Sequence, residues 1–496
     1  MNVYDKLSDP LALTVFVITL LFPIGVGLVA MRRTKNQDDF FLGGRAMGRF
    51  TVALSAVSSG RSSWLVLGLS GMAWKMGLGA VWAIVGYIAV EAVQFVTIGR
   101  RLRRVTQQQG SITLLDYFEA RFDDRSHVLR LVGAGIIGVF ITAYVAAQFN
   151  AGAKTLSTAL ELPLWVSLLA SGALILVYMV LGGFVAVAYN DVIRALIMLM
   201  GLVVLPVVAF VHIGGWGDLS SILGRAAPDH LSFTAVGLGA MIGFAGIGLG
   251  SPGQPHIVVR YMSIDDERNL VWSAVIGTVT NVLLGLGAIG IGLVGRALVP
   301  DVSGLPNEDP EMIYLVLSSV HFGPVLYGLL VGGVFAAILS TADSQLLVVA
   351  STVVRDLWGQ VIKEGQDLDP KRELLLSRVV VVVAGLVAMG LAYVAKDLVF
   401  WLVLFAWGGL GAALGPALIL ALYWKRCSRA GVLAGMLTGT VVTIVWKLWL
   451  KAPTGLYELI PAFFGALAVI VIVSLLVPDA KPSNASGMPS PGASSG

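Results

Sequence analysis

The sequence has little charge. Asp, Glu, Lys and Arg make up 12% of its 496 residues, whereas 57% are apolar or aromatic. An average soluble domain carries roughly 25% charged residues. So small a polar fraction cannot cover the surface of a soluble protein of this size, which excludes a soluble multidomain enzyme. The same apolar content excludes a disordered chain.

Metal-ligating and nucleophilic residues are also scarce. The single cysteine, Cys427, excludes a disulfide framework and a thiolate metal cage. The five histidines show no metal-ligand spacing such as HExxH, and the chain has no phosphate-binding loop. We therefore expect no enzyme and no cofactor. The Pro/Gly/Ser-rich segment 478–496 is expected to be a disordered cytoplasmic tail rather than a signalling domain.

Long apolar runs are abundant, and a bilayer core needs about 20 apolar residues per helix. We predict about thirteen transmembrane helices, at 11–31, 50–74, 78–98, 129–150, 163–183, 190–211, 233–258, 270–295, 323–353, 377–395, 398–423, 430–450 and 458–477. Lys and Arg alternate between the connecting segments, 23 on one side and 8 on the other, with Arg260 counted in an inner loop. This bias predicts an N-terminus outside and a C-terminus inside.

Two of these runs contain segments that cannot continue as lipid-facing helix. The second run has six consecutive residues without an apolar side chain, 58–63, and the seventh run is dense in glycine and proline from Gly246 to Pro255. Unwound segments expose backbone carbonyls and half-helix dipoles, which build ion and solute sites at the membrane midplane. Close helix packing is the alternative for the second run. For His256 we favour a satisfied interhelical hydrogen bond.

Polar side chains also enter the sixth and ninth runs. Ser340, Thr341 and Ser344 share a helix face in the ninth, where hydroxyl and carbonyl oxygens suit a weakly held monovalent cation. Asp343 needs a partner at this depth. Asp191 and Arg194, three residues apart in the sixth run, either pair at the membrane edge or belong to a site. The two broken runs are five runs apart, which is the spacing of an inverted five-helix repeat.

The sequence resembles the solute:sodium symporter family, and within it the bacterial sodium/proline symporters. The matching stretches are FFLGGRAMGRF (40–50), SSWLVLGLSG (62–71), LGGFVAVAYND (181–191), GQPHIVVRYM (253–262) and AAILSTADSQLL (336–347). The resemblance implies an all-α polytopic fold of the LeuT type. It also implies one transporter domain, 1–477, whose core repeats cover about 50–211 and 233–423.

The resemblance also implies roles for individual residues. The main sodium site would use Ser58, Arg61, Ala337, Ser340 and Thr341, with the first three contributing backbone oxygens. A second cation or an ion pair would lie near Asp191, Asp343 and Ser344. The solute would lie near Ser62, Ser63, Trp64, Ser251, Gln254 and Pro255, and Arg45 would contribute to gating on the cytoplasmic side.

The chain departs from sodium/proline symporters at two places. Gly60 replaces an acidic residue and Arg61 an apolar one, and Ile247 and Ser251 stand where aromatics are expected, which makes proline a doubtful solute. An unpaired guanidinium at the bilayer centre costs at least about 2.5–3.5 kcal/mol. We therefore expect Arg61 to pair with Asp343 or Asp191. Its charge would occupy the sodium site, bind a carboxylate of the solute, or form a structural ion pair.

These observations favour a secondary active transporter in the plasma membrane. It would couple sodium entry to uptake of a small organic solute, such as an amino acid, by alternating access. The alternative is a sodium-independent or proton-coupled transporter in which Arg61 replaces the ion. Two broken helices that meet favour an occluded site over a channel. The expected partners are the solute, sodium and the lipid bilayer, with no nucleic acid.

Overall fold

The computed structural model describes residues 9–31, 42–180, 184–363, 370–395 and 397–479. Within these residues the chain is helical and forms no β-strand beyond one isolated bridge, between Met47 and Ile264. The first part of two matched motifs, 40–41 and 181–183, and the tail from 480 lie outside the described residues.

Twenty α-helices make up most of the described chain. They are α1 (Pro10–Met31), α2 (Arg49–Ser63), α3 (Ser70–Met76), α4 (Val81–Gln94), α5 (Arg100–Gln109), α6 (Leu114–Phe122), α7 (Val128–Leu160), α8 (Leu164–Val180), α9 (Phe184–His212), α10 (Gly215–Ala226), α11 (Leu238–Ala245), α12 (Pro255–Ser263), α13 (Leu270–Leu298), α14 (Ile313–His321), α15 (Pro324–Ala350), α16 (Pro370–Val394), α17 (Val399–Tyr423), α18 (Arg429–Val445), α19 (Lys451–Thr454) and α20 (Leu459–Leu476). Wider π-helical turns follow α2, α4, α15 and α18.

Many of these helices suit a bilayer. Among the described residues, nine helical stretches are long and apolar enough to cross a membrane. Three shorter apolar helices accompany them, at Pro10–Phe22, Leu164–Val177 and Leu238–Gly253. The architecture is therefore a polytopic helical bundle, while the number thirteen and the orientation remain predictions.

The stretch Arg49–Gln109 illustrates how the chain reverses direction. Its 61 residues would span about 90 Å as one helix, roughly three bilayer cores. Gly77 interrupts it with φ +61°, a conformation that favours glycine, and a Cβ there would lie 2.2 Å from the carbonyl oxygen of His230. Because α3 and α4 both pack on α13, the stretch folds into a hairpin at this turn.

Two helices form the centre of the bundle. The most apolar windows of Pro324–Ile362 and Val399–Tyr423 are each 83% buried inside the protein, whereas that of Arg372–Val394 is 22% buried. α15 packs against α2, and α17 packs against the segment Gly246–Gly253. The two central helices thus lie beside the two segments that were predicted to be broken.

Both predicted breaks are confirmed. The first lies at Ser62, whose φ of 46° and ψ of −168° interrupt the helix between Arg61 and Ser63. The second is a 3-10 segment, Gly246–Gly253, followed by Gln254 in an extended conformation. Pro255 then starts α12, at a position where its missing N–H is harmless.

Candidate functional site

The first break brings backbone oxygens of α2 against hydroxyl groups of α15. The Ser340 hydroxyl lies 3.2 Å from the carbonyl oxygen of Ser58 and 3.0 Å from that of Ala337. The Thr341 hydroxyl donates to the carbonyl oxygen of Ser59 at 3.0 Å. All of these residues are buried. The structure therefore gathers four of the five predicted cation-site residues into a cluster of uncharged oxygens, which we call the oxygen cluster.

The fifth predicted ligand, Arg61, is arranged differently. Its carbonyl oxygen accepts the backbone N–H of Trp64 as the chain passes the break. Sequence reasoning had not selected Ser59, whose carbonyl contacts Thr341 directly. Ser59 could have been considered because it is a serine within the polar run 58–63. The sequence does not show which carbonyl oxygens of this run face α15, since that depends on the rotation of α2 about its axis.

Four buried charged side chains form a network next to the oxygen cluster. Asp191 pairs with Arg260 at 3.1 Å, and Asp343 pairs with Arg194 at 2.5 Å. The Arg194 guanidinium also lies 3.8 Å from Asp191, so the charges alternate in sign. The predicted grouping of Asp191 and Asp343 is thus present, in the form of ion pairs.

One expectation about this network was wrong, because Arg260 does not lie in a loop but belongs to α12 and is 2% exposed. Of the two alternatives for Asp191 and Arg194, the structure favours a buried network, since both residues are fully buried and Arg194 lies closer to Asp343 than to Asp191. The break at Gly246–Gly253 lets α12 start deep in the protein, and this places Arg260 in the interior.

Ser344 and Ser59 connect the network to the oxygen cluster. The Ser344 hydroxyl lies 2.5 Å from an Arg260 nitrogen and 2.8 Å from the Ser340 carbonyl oxygen. The Ser59 hydroxyl lies 3.1 Å from Asp191 and 2.7 Å from Arg260. The carbonyl of Ser59 faces one group and its hydroxyl faces the other.

Arg61 lies on the opposite side of α2, and its expected pairing with Asp343 or Asp191 was wrong. Its Nε donates to Asn281 at 2.7 Å, and a terminal nitrogen lies 3.4 Å from Glu91. The guanidinium also stacks on the Tyr87 ring, 3.4 Å from its centroid. The side chain emerges toward α4 and α13, so the structure does not place the Arg61 charge in the oxygen cluster.

Gly60 makes this arrangement possible. A Cβ at residue 60 would lie 2.6 Å from the Tyr87 hydroxyl, which occupies the space of the missing side chain. The Tyr87 ring in turn covers the Arg61 guanidinium. The two departures at positions 60 and 61 therefore belong to one local rearrangement.

The predicted solute residues lie at the two breaks. The Ser63 hydroxyl donates to Gln148 at 2.9 Å, and the Trp64 ring stacks on Phe400 with 5.6 Å between centroids. At the second break the Gln254 amide donates to the carbonyl oxygens of Gly250 and Trp407. These contacts hold the Ser63, Trp64 and Gln254 side chains in place at the two breaks.

The other sides of several polar residues have no protein partner. Around the two breaks, the buried atoms without a protein partner include Trp64 Nε1, Gln148 Nε2, Gln254 Oε1 and both ring nitrogens of His256. The satisfied hydrogen bond expected for His256 was wrong, and its ring instead lies edge-on to Tyr144 at 5.9 Å. Buried donors and acceptors without partners cost about 1–3 kcal/mol each. A polar solute between the breaks would satisfy them.

The predicted inner end of the bundle is tied together by arginine. Arg45 donates to the carbonyl oxygens of Ser111 and Met262 at 2.6 and 3.1 Å, which joins the chain before α2 to the end of α12. A narrow cavity of about 40 Å³ runs from Asp356 to Pro255 and Arg260.

A charged cluster lies beside this cavity, which Asp356 lines. Arg130 pairs with Asp116 at 2.9 Å and with Asp356 at 2.6 Å, and Arg355 also pairs with Asp116. Burial opposes ionisation of Asp116, but Arg355 and Arg130 outweigh it and lower its pKa below the ordinary value. These contacts join α6 and α7 to the helical segment after α15.

Another buried carboxylate, Glu311, lies at the opposite end of α7 from this cluster. Glu311 pairs with Lys154 at 2.9 Å and accepts the first backbone N–H groups of α17, from Val399 and Phe400, at 2.9 Å. Burial raises the pKa of Glu311 above its ordinary value, although Lys154 acts against this shift. These contacts connect the segment before α14 to the end of α7 and the start of α17.

The charged networks around the first break include residues that sequence reasoning missed. Glu91 interrupts the apolar run 78–98, and the criterion that selected Arg61 would have selected it too. Arg260 was missed because it lies at the end of an apolar run, where span boundaries are uncertain. Asn281 gave no comparable signal, since a lone amide in a long helix is common.

Comparisons with known proteins agree with this architecture. The family model "Sodium:solute symporter family" matches residues 40–439. The chain is 35% identical to the sodium/proline symporter of Escherichia coli (strain K12) over 94% of this chain and 93% of the relative. It is also 35% identical to that of Staphylococcus aureus over 89% and 88%. A substrate-bound, outward-open Na+-coupled sialic acid symporter has the same fold, with a TM-score of 0.79 at 19% identity over 95% and 99% of the two chains.

Proposed function

The chain belongs to the sodium:solute symporter family, and we propose that it couples sodium entry to uptake of a small organic solute. The oxygen cluster carries this proposal. Ser58, Ala337, Ser340 and Thr341, together with Ser59, offer carbonyl and hydroxyl oxygens where α2 is broken. Unwound carbonyls beside a half-helix end are the usual ligands of a coupling ion at the membrane midplane.

The charge of the site suits a cation that must leave again. No carboxylate hydrogen-bonds to Ser340 or Thr341 among the described contacts, so the ion would be held by dipoles alone. Arg61 pairs with Glu91 on the other side of α2 and leaves this position open. This geometry favours sodium coupling over the alternative in which the Arg61 charge replaces the ion.

The solute would bind between the two breaks. Trp64, Gln148 and Gln254 present unpartnered donors and acceptors there, which suits a small solute with both types of group, such as an amino acid. The relatives are named sodium/proline symporters. Ile247 and Ser251 in place of two aromatics would give this chain a pocket of different shape, so proline is one solute among several to test.

The remaining architecture follows from the same proposal. One transporter domain, 1–477, would cross the plasma membrane thirteen times with its N-terminus outside. Its repeats, about 50–211 and 233–423, would rock against each other around the site. Arg45 would help to close the inner side, because it joins the segment before α2 to the end of α12.

Uptake into proteoliposomes tests the proposal. Radiolabelled amino acids including proline, small carboxylates and sugars would be offered with an inward sodium gradient or with potassium in its place. We expect uptake of at least one solute to require sodium. Equal uptake in potassium would contradict sodium coupling.

Single hydroxyl deletions then test the oxygen cluster. A lost ligand worth about 1.4 kcal/mol raises the half-saturating sodium concentration about tenfold, which we expect for Ser340→Ala and Thr341→Ala. Thr443→Ala is the matched control, because Thr443 is equally buried and donates to Gly439 of its own helix at 2.8 Å. Unchanged sodium dependence in both test variants would exclude this site.

A further inference from the structure

One side of α4 and α5 forms a continuous exposed stripe. Every fourth residue from α4 through the π-helical turn Phe95–Gly99 into α5 is exposed, namely Val85, Ala89, Val93, Thr97 and Arg101. Residues four apart lie on the same face of a helix. The Thr97 hydroxyl donates to the carbonyl oxygen of Val93 at 2.6 Å, so this polar group is already satisfied. The stripe therefore suits the acyl chains of a lipid along most of its length, and it ends in a positive charge.

The end of α17 adds further basic groups beside Arg101. The Arg101 guanidinium lies over the ring of Tyr423, 4.7 Å from its centroid, and Tyr423 is 44% exposed. Arg121 Nε donates to a carbonyl oxygen in the last turn of α17 at 3.2 Å. Lys425 and Arg426 follow in the turn after α17, and both are exposed. These four cations, Arg101, Arg121, Lys425 and Arg426, converge on one helix end, and we call them the basic patch.

The protein does not balance the charge of the basic patch. Within the part of the chain that the structure describes, none of its four cations forms an ion pair with a carboxylate, although three other exposed arginines on the predicted inner side do, namely Arg104 with Glu267, Arg125 with Asp123 and Arg268 with Asp266. The nearby carboxylates of Asp124 and Asp479 both contact Arg429. The carboxyl end of α17 supplies only about half a negative charge. Most of the positive charge therefore remains available to a ligand.

We propose that the basic patch binds the headgroup of an anionic phospholipid, whose acyl chains lie along the stripe from Val85 to Thr97. Basic pockets between the ends of transmembrane helices bind such headgroups. Tyr423 is the last residue of the apolar stretch Val399–Tyr423, and exposed tyrosines are typical of the headgroup level. The apolar stripe favours a lipid over a free phosphate ion, which would gain nothing from it. The headgroup would bridge α5 in the first proposed repeat and α17 in the second.

Lipid binding to the purified full-length protein in detergent tests this proposal. Native mass spectrometry would give dissociation constants for dioleoyl phosphatidylglycerol, which is anionic, and for dioleoyl phosphatidylcholine, which has the same chains and no net charge. We expect phosphatidylglycerol to bind more than tenfold more tightly. Equal dissociation constants would overturn the proposal. Glycerol phosphate should not displace phosphatidylglycerol at equal concentration, and displacement by it would mean that the patch binds a soluble anion and not a lipid.

The triple variant Arg101→Gln/Lys425→Gln/Arg426→Gln tests the basic patch itself. Each basic side chain near an anionic headgroup contributes about fivefold to the affinity, equivalent to about 1 kcal/mol. Loss of three should therefore weaken phosphatidylglycerol binding more than tenfold and leave phosphatidylcholine binding unchanged. All three side chains are exposed, so we expect the variant to fold. Undiminished binding of phosphatidylglycerol by the folded variant would overturn the proposal.

The matched control is Arg104→Gln/Arg125→Gln/Arg268→Gln. It removes the same number of positive charges from exposed side chains on the same predicted side, but these three are paired with carboxylates. We expect this variant to bind phosphatidylglycerol within about threefold of the unmodified protein, because an already paired cation offers an anion less. Equal weakening in the two triple variants would show that total charge, and not the basic patch, attracts the lipid.

Discussion

Glu91→Gln should strongly destabilise the protein. The substitution removes the only carboxylate among the described contacts of Arg61, which is 3% exposed and cannot lose its proton. Breaking a buried ion pair costs about 3–5 kcal/mol. Asn281 and the Tyr87 ring still contact the guanidinium in this variant. We therefore expect the free energy of unfolding to fall by about 3 kcal/mol, at the lower end of that range.

The Arg61–Glu91 ion pair predicts the order of stability among variants of these two residues. Arg61→Met should cost less than Glu91→Gln, because a carboxyl group left without its partner can take up a proton, whereas a guanidinium cannot release one. In Arg61→Met/Glu91→Gln neither charge remains, and stability should return to within about 1 kcal/mol of the unmodified protein. The double variant therefore measures the coupling between the two residues.

Unfolding by SDS in mixed micelles, followed by helical circular dichroism, measures these differences. Arg268→Met is the control, because Arg268 pairs with Asp266 at 2.6 Å at an exposed position and should leave the midpoint unchanged. A double variant that loses the sum of the two single losses would refute the ion-pair reasoning. A stable double variant without sodium-dependent uptake would show that the Arg61–Glu91 pair takes part in transport itself.

Two further predictions concern a close helix contact and a buried histidine. In Gly253→Ala the new Cβ would lie 2.5 Å from the Leu410 carbonyl oxygen, so we expect a stability loss of about 1–3 kcal/mol and more than tenfold slower uptake. Gly138→Ala, with open space around the new Cβ, should retain uptake in the same assay. Burial lowers the pKa of His230 below its ordinary value, so the folded protein binds a proton less readily than the unfolded chain. Thermal stability should therefore fall as the pH drops below about 6.5, and His230→Gln should weaken this dependence.

The two breaks could be predicted from the sequence because their causes are local. A run of small polar residues around Ser62 and a run of glycine and proline at Gly246–Pro255 each disfavour a continuous helix whatever surrounds them. The gathering of Ser340 and Thr341 against α2 was likewise predicted, from their helical spacing and from the family resemblance.

The partner of Arg61 could not be predicted in the same way. The face on which its side chain emerges depends on the backbone angles at the break and on the packing of α4 and α13 beside it. The hydropathy of the sequence carries no information about these backbone angles or about this packing. The position of Arg260 depends in turn on where α12 begins, and a few residues decide whether a side chain at the end of a run is buried or exposed.

The few charged side chains in the interior share one property, which is that each lies next to a side chain of opposite charge. Arg61 with Glu91, Arg260 with Asp191 and Arg194 with Asp343 each combine opposite signs, because an isolated charge would be too costly in the interior. Such pairs are permanent, since neither member can leave. A coupling ion must bind and leave in every transport cycle. It therefore needs oxygens that no guanidinium group already contacts, and these oxygens must attract the ion weakly enough to release it. The uncharged oxygens at the first break meet both conditions, and this is why we propose that the coupling ion binds there.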